Sequence, residues 1–456
     1  MSDFLSRLVS WCKPPGRLSR NLYLGILIGA SVTLSSTSIA LYYRRRRKGL
    51  QHPEYDISPI QVVRNEVVHG VPGLVGNTPL VRINSLSNAL SVEILGKAEY
   101  LNPGGSVKDR VALQIIEDAE QQGLLHPYTG STIFEGTVGS TGISIATIGR
   151  ARGYETTIIM PDDVAEEKSK ALEALGANVE KVRPSSIVDK KQFVNVAKQR
   201  ALEFGSTKLS NEAEGVSVST TATTAEVAHK SLPRPQASLA SKEEPRGFFA
   251  DQFESRSNFD AHYKGTGPEI WRQTGGDVHA FVSGAGTGGT IAGTGAFLKH
   301  MNEGILVVLA DPQGSGLFNK IKHGVMFNAK ESEGTRRRHQ VDTVVEGIGI
   351  NRLTQNFELG MPIIDDAYQV TDAEAVSMSR YLVAHDGLFL GSSSACNLVT
   401  CVRLAKTLGR GKTIVTILCD SGSRHYSKFW NDAYLMNAAI PIDMSITEKL
   451  LVQAGP

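Results

Sequence analysis

The chain has 456 residues, 41% hydrophobic and 21% charged, with 45 glycines and 18 prolines. That hydrophobic content excludes a mainly disordered chain, and a mean hydropathy of -0.13 excludes a polytopic membrane protein. The formal charge of +2 is uneven: residues 1–50 contribute +8 and residues 51–456 carry -6, and a mildly acidic body argues against nucleic-acid binding as its main task.

The positive charge brackets one segment. Arg7, Lys13, Arg17 and Arg20 precede the uncharged stretch 22–43, and Arg44, Arg45, Arg46, Arg47 and Lys48 follow it. As a helix, 22 residues would span about 33 Å, enough for a hydrocarbon core of about 30 Å. Tyr23, Tyr42 and Tyr43 lie where interfacial aromatic residues belong. The expected organisation is a basic leader (1–21), a transmembrane anchor (22–43), a basic linker (44–64) and a body (65–456). A buried core helix would not explain the adjoining arginines. The span resembles the signal anchors of mitochondrial outer-membrane proteins, which implies a membrane-anchored body facing the cytosol. A mitochondrial presequence is the alternative reading of the leader.

Along the body, apolar residues at helical spacing predict helices over 106–122 and 166–175. Short β-branched runs predict strands over 131–135, 155–160, 179–182, 278–283, 305–310 and 413–419. This alternation indicates an α/β fold with parallel-type sheets. Between them, residues 211–246 are rich in Ser, Thr, Ala and Pro and read as a disordered insertion without chemistry. The four cysteines, Cys12, Cys396, Cys401 and Cys419, form no CxxC pair and have no His at zinc spacing. Neither a disulfide framework nor a metal site is indicated, and the default is a reducing compartment.

Three segments carry candidate chemistry. The first, NPGGSVKDR from Asn102, is a Pro/Gly turn opening a helix with Lys108 in its first turn. A helix N-terminus disfavours an ammonium, so the placement favours the neutral amine that a Schiff-base lysine needs. An ordinary exposed lysine is the alternative. The second, EGTVGSTG from Glu135, is a strand-to-helix turn whose backbone N–H groups can hold a carboxylate, or simply a tight turn. The third, SGAGTGGT from Ser283, follows a strand and opens an apolar helix, a setting that cradles phosphate. Gly284, Gly286 and Gly289 also match GxGxxG, and Asp311 ends the next strand, as in a dinucleotide-binding fold.

Together with LVGNTPLVRI, FADQFES, HYKGTGPEIWRQTGG, GAGTGGTIAG, VEGIG, GLFLGSSSACN and CDSGSRHYSKFW, these segments resemble fold-type II pyridoxal-phosphate enzymes. The likeness is to the cysteine synthase and cystathionine β-synthase family and runs from about Leu74 to Trp430. It implies a two-domain, tryptophan synthase β-like fold, with a smaller moving domain over about 92–200, and a homodimer. It also implies that Lys108 binds pyridoxal phosphate and acts as acid and base at the substrate Cα. Gly286, Thr287, Gly288, Gly289 and Thr290 would bind the cofactor phosphate, and Ser393 would face the pyridine nitrogen. A serine there weakens the electron sink, which suits β-elimination and β-replacement. Thr137, Val138, Gly139 and Thr141 would grip the substrate carboxylate with Gln252 nearby, and Gly347 would line the entrance.

Two departures bear on rate and substrate preference. The family's TSGNTG is TVGSTG here, so Ser140 replaces the Asn that bonds the cofactor 3′-oxygen and Val138 replaces a hydroxyl. Ser394-Ala395-Cys396 stands for Ser-Gly-Ala, and Cys396 reads as core packing. The implied reaction makes L-cysteine and acetate from O-acetyl-L-serine and sulfide. Alternatives are cystathionine β-synthase, cysteine desulfhydrase or serine dehydratase activity, or a tethered pyridoxal-phosphate-binding scaffold with little turnover. Against cystathionine β-synthase stand the absence of a heme-binding Cys/His segment before the motifs and the short stretch after them.

Overall fold

The computed structural model describes residues 67–185, 189–212, 244–327 and 343–452. Strands among them are β1 (Leu80–Arg82), β2 (Glu93–Ala98), β3 (Thr132–Gly136), β4 (Glu155–Pro161), β5 (Asn178–Val182), β6 (Gly247–Phe249), β7 (Ala280–Gly284), β8 (Leu306–Pro312), β9 (Asp366–Val370) and β10 (Thr413–Leu418). They form two sheets. A six-stranded sheet runs β1-β2-β10-β7-β8-β9, and a four-stranded sheet runs β5-β4-β3-β6. Every neighbouring pair is parallel except β1 with β2.

Parallel strands covered by helices on both faces need apolar residues on both faces. Strand β10 (TIVTIL) is buried at every position. It sends Ile414 and Leu418 into one core and Val415 and Ile417 into the other, the two-residue alternation of a strand. All six sequence-derived strands and both helices are present, the helices as Lys108–Gln121 and Glu166–Ala174. Cys396 is wholly buried in the larger core.

The layers divide differently from the sequence boundary at about 92. Strand β2 pairs with β10 in the larger sheet, and the smaller sheet draws its strands from 132 to 249. Segment 22–43 lies outside the described residues, and among the described residues no helix is long and apolar enough to cross a membrane. Most of 211–246 also lies outside them. Its edges are structured: helix Phe193–Glu212 covers the start, and the Arg246 N–H donates to Ser131 Oγ at 3.0 Å.

Candidate active site

The loops that follow β3, β7 and β10 meet at the C-terminal ends of parallel strands, where ligands of open α/β sheets bind. They enclose adjoining cavities that share Lys108, Ser140, Gly286, Thr287, Glu346, Gly347 and Asp420.

Lys108 opens helix Lys108–Gln121. Its turn is tied to the end of β10 by the Val107 N–H, which donates to the Cys419 carbonyl at 3.0 Å, and by a bridge between Ser106 and Asp420. Burial lowers the Lys108 pKa, against the opposing influence of Cys419 and Asp420. Burial, rather than the helix terminus alone, is thus the main cause of an amine poised to be neutral.

After β3, the chain turns through Thr137, Val138 and Gly139 into helix Ser140–Ala151. Gly139 has φ +148°, and a Cβ there would lie 2.5 Å from Lys168 Cδ, so this turn requires glycine. The Gly139 N–H donates to Thr137 Oγ1 at 3.3 Å, and Thr141 Oγ1 donates to Gln252 Oε1 at 2.6 Å. Val138 leans on the cluster of Phe134, Ile159 and Phe193 while also lining the cavity. Ser140 Oγ accepts from Arg424 Nη1 at 3.4 Å.

After β7, Gly286 to Thr290 lead into helix Gly289–Met301. Gly288 has φ +89°, and a Cβ on it would lie 2.5 Å from the backbone N of Phe357. The loop presses against Gly347, whose carbonyl would overlap a Cβ on Gly286. Gly347 itself has φ +86° with open space on its Cβ side, so it leaves the cavity wall clear. Ser393 lines the cavity from the start of helix Ser392–Leu408 and hydrogen-bonds Cys419, whose thiol burial pushes up to about 11.

The structure therefore brings all fourteen sequence-derived site residues to one region: Lys108, Thr137 to Thr141, Gln252, Gly286 to Thr290, Gly347 and Ser393. It adds an ionic cluster that sequence reasoning did not single out. Lys168, on helix Glu166–Ala174, is ion-paired with Glu346. His425 reaches Asp420 at 3.0 Å and Glu346 at 3.6 Å, and Lys428 lies 3.4 Å from Glu346. Burial would raise the Glu346 pKa, but Lys168 and His425 hold it well below the usual range. The signal was present in VEGIG and CDSGSRHYSKFW, read only as family wording.

Asp311, the candidate ribose acid of the dinucleotide reading, is wholly buried. Its Oδ2 accepts from the Phe318 N–H at 2.7 Å, near the start of helix Leu317–His323. It is a structural acid, and the dinucleotide reading loses its ribose partner. The cavity fits pyridoxal phosphate instead. It offers a desolvated amine, and a glycine-rich helix N-terminus with two threonine hydroxyls for the phosphate.

Residues 71–420 match the family model described as "Pyridoxal-phosphate dependent enzyme". "Cysteine synthase 2" of Schizosaccharomyces pombe is 52% identical over 82% of this chain and 86% of its own. A Saccharomyces cerevisiae relative named "Putative mitochondrial cysteine synthase" is 50% identical over 84% of this chain and 88% of its own. The crystal structure of O-ureido-L-serine synthase matches with a TM-score of 0.61 at 26% identity, over 81% of this chain and 99% of that one. These findings overturn the expected placement at the mitochondrial outer membrane. Among the described residues no helix is long and apolar enough to cross a membrane, and the cited relatives are named as cysteine synthases. With a cavity around the half-buried Lys108 and a family match over most of its length, the chain belongs to the pyridoxal-phosphate dependent enzymes.

Proposed function

We propose that the protein makes L-cysteine and acetate from O-acetyl-L-serine and sulfide. The carrying observation is the desolvated Lys108 amine in a cavity with a glycine-rich, hydroxyl-bearing loop. Relatives about half identical over most of the chain are named cysteine synthases. Bound pyridoxal phosphate supplies an electron sink that makes the substrate Cα proton acidic.

The residues of the chain do the rest. Lys108 would hold the cofactor, and its free amine would remove the substrate Cα proton. Acetate departs from Cβ with the C–O electron pair, hydrosulfide adds at Cβ, and Lys108 returns the proton to Cα. Thr137, Val138, Gly139 and Thr141 grip the substrate carboxylate, with Gln252 orienting Thr141. Gly286 to Thr290 hold the phosphate, Ser140 and Ser393 address the cofactor ring, and Gly347 keeps the entrance open.

The layer built on the four-stranded sheet closes over the carboxylate. Support comes from bonds that already span the cleft: Lys168 with Glu346, and Ser427 Oγ donating to Glu167 Oε1 at 2.9 Å. The enzyme acts as a homodimer, as its family resemblance suggests, which light scattering would test.

The decisive assay uses the full chain. Wild type should show the visible absorption of bound cofactor and release cysteine from O-acetyl-L-serine and sulfide, and Lys108→Ala should lose both. A normal cofactor spectrum without cysteine formation would leave a binding scaffold and refute the activity.

A further inference from the structure

Thr287 and Thr290 both line the cavity containing Lys108, and each is backed by a buried polar side chain that no step above uses. Behind Thr287 stands Asn258, wholly buried. Its Nδ2 donates to the Gln252 carbonyl and to Thr287 Oγ1, at 2.8 Å in each case. A carbonyl only accepts, so the Gln252 contact fixes which end of the amide is the nitrogen. Thr287 Oγ1 therefore accepts from Asn258, and its own O–H is left to donate.

Behind Thr290 stands His262, also wholly buried. Its Nε2 lies 3.1 Å from Thr290 Oγ1 and its Nδ1 2.9 Å from Thr266 Oγ1. Burial, reinforced by the charge of Arg110, holds this imidazole well below its ordinary pKa. It is neutral and carries one N–H.

The two tautomers have opposite consequences. With the proton on Nδ1, Nε2 must accept, and the Thr290 O–H is consumed by the ring. Thr290 would then show only lone pairs to a phosphate that is itself a dianionic acceptor. With the proton on Nε2, the ring donates to Thr290 Oγ1 and accepts from the Thr266 hydroxyl at Nδ1. The Thr290 O–H is then free, matching the arrangement at Thr287.

We propose that His262 is fixed as its Nε2–H tautomer and, with Asn258, is a positioning residue that makes the Thr290 and Thr287 hydroxyls donors to the cofactor phosphate. The packing is built for this contact. A Cβ on Gly289 would overlap Asn258 Oδ1, and one on Gly293 would overlap the Phe259 carbonyl and lie 2.9 Å from His262 Cβ. The π-helical turn His262–Thr266, a feature common at functional sites, contains both His262 and its Thr266 partner.

The proposal rests on residues 286–290 being the phosphate site, and the experiment separates the two. Apo-protein of full length is titrated with pyridoxal phosphate and with pyridoxal, which lacks the phosphate. His262→Leu should weaken pyridoxal phosphate about 3–10-fold, because Thr290 Oγ1 loses the one neutral hydrogen bond that orients its O–H toward the phosphate, and change pyridoxal by less than about twofold. His262→Gln, whose amide can donate to Thr290, should recover most of the loss. Equal weakening of both ligands, no weakening, or no rescue by glutamine overturns the role of His262. Thr290→Val is the control. If it leaves discrimination between the two ligands intact, the phosphate assignment falls and takes the proposal with it. If it abolishes discrimination while His262→Leu leaves it unchanged, only the proposal falls. Nitrogen-15 NMR of the wild-type histidines gives a readout independent of folding in the variants: a protonated Nε2 supports the proposal, and a protonated Nδ1 overturns it.

Discussion

His425 links the pH dependence of stability to the active-site ion cluster. It is buried, with Nε2 3.0 Å from Asp420 Oδ2 and Nδ1 3.6 Å from Glu346 Oε2. Burial favours the neutral ring, but the two carboxylates outweigh it and raise the pKa to about 9. Relative to about 6.5 in the unfolded chain, this corresponds to at most roughly 3 kcal/mol of folding stability, since Asp420 shares the same pair. Because the folded state holds its proton more tightly, this contribution is complete below about pH 6.5 and fades as pH rises through about 9. His425→Gln fills similar space and keeps a donor but cannot carry the charge. Urea unfolding of the holoenzyme, followed by tryptophan fluorescence at pH 6.5, 8 and 9.5, is the assay. The variant should be less stable by about 2–3 kcal/mol at the lowest pH, with the gap closing as pH rises. A gap of constant size across the three pH values would show that packing, not protonation, is what His425 contributes.

Three further outcomes are expected. Arg110 Nε lies 2.7 Å from Glu99, Arg110 Nη1 2.7 Å from Glu269, and Lys97 2.6 Å from Glu269. Arg110→Met leaves these acids under-compensated and should cost about 3–5 kcal/mol in unfolding free energy, seen as a lower urea midpoint. Gly288→Ala, at φ +89° and 2.5 Å from the Phe357 backbone, should reduce cofactor retention on dialysis while far-UV circular dichroism stays native. The strain of about 1–3 kcal/mol then falls on the loop. Lys168→Met removes the cleft-spanning partner of Glu346 and should raise KM for O-acetyl-L-serine more than it lowers kcat. An unchanged KM would argue against closure of that layer.

The parts of the fold that were legible are those where burial writes a continuous pattern. Strands β3, β4 and β10 are buried over nearly their whole length, and the predicted strands came from short β-branched runs. Strand β2, EILGKA, escaped because a glycine and a lysine interrupt it. Its Lys97 is wholly buried only because Glu269, far along the chain, neutralises it. Strand β9, DAYQV, is an edge strand whose burial is only partial, and β1 and β6 have three residues each. Sheet order was not legible at all, since β2 pairs with β10 more than 300 residues later. Within the site, Lys108 and the glycine loops could be read because their chemistry is local. The partnership of Lys168, Glu346, Asp420 and His425 could not, because three separate loops and helices must first be brought together.

The glycines gain a second meaning from this. In sequence they mark turns whose backbone N–H groups face a ligand, yet several of them face away from it, toward the elements behind. Gly286 admits the Gly347 carbonyl, Gly288 the Phe357 backbone, Gly289 the Asn258 amide and Gly293 the Phe259 carbonyl. Each contact brings a supporting residue within reach of a loop that would otherwise be held only by its own ends. A phosphate loop on a helix N-terminus attracts anions wherever it occurs, and what fixes hydroxyl polarity is the layer of donors pressed against its back. Substitution of Gly289 or Gly293 should therefore act first on how the cofactor is held and only secondarily on global stability, because the displaced neighbours include Asn258 and His262, which orient Thr287 and Thr290.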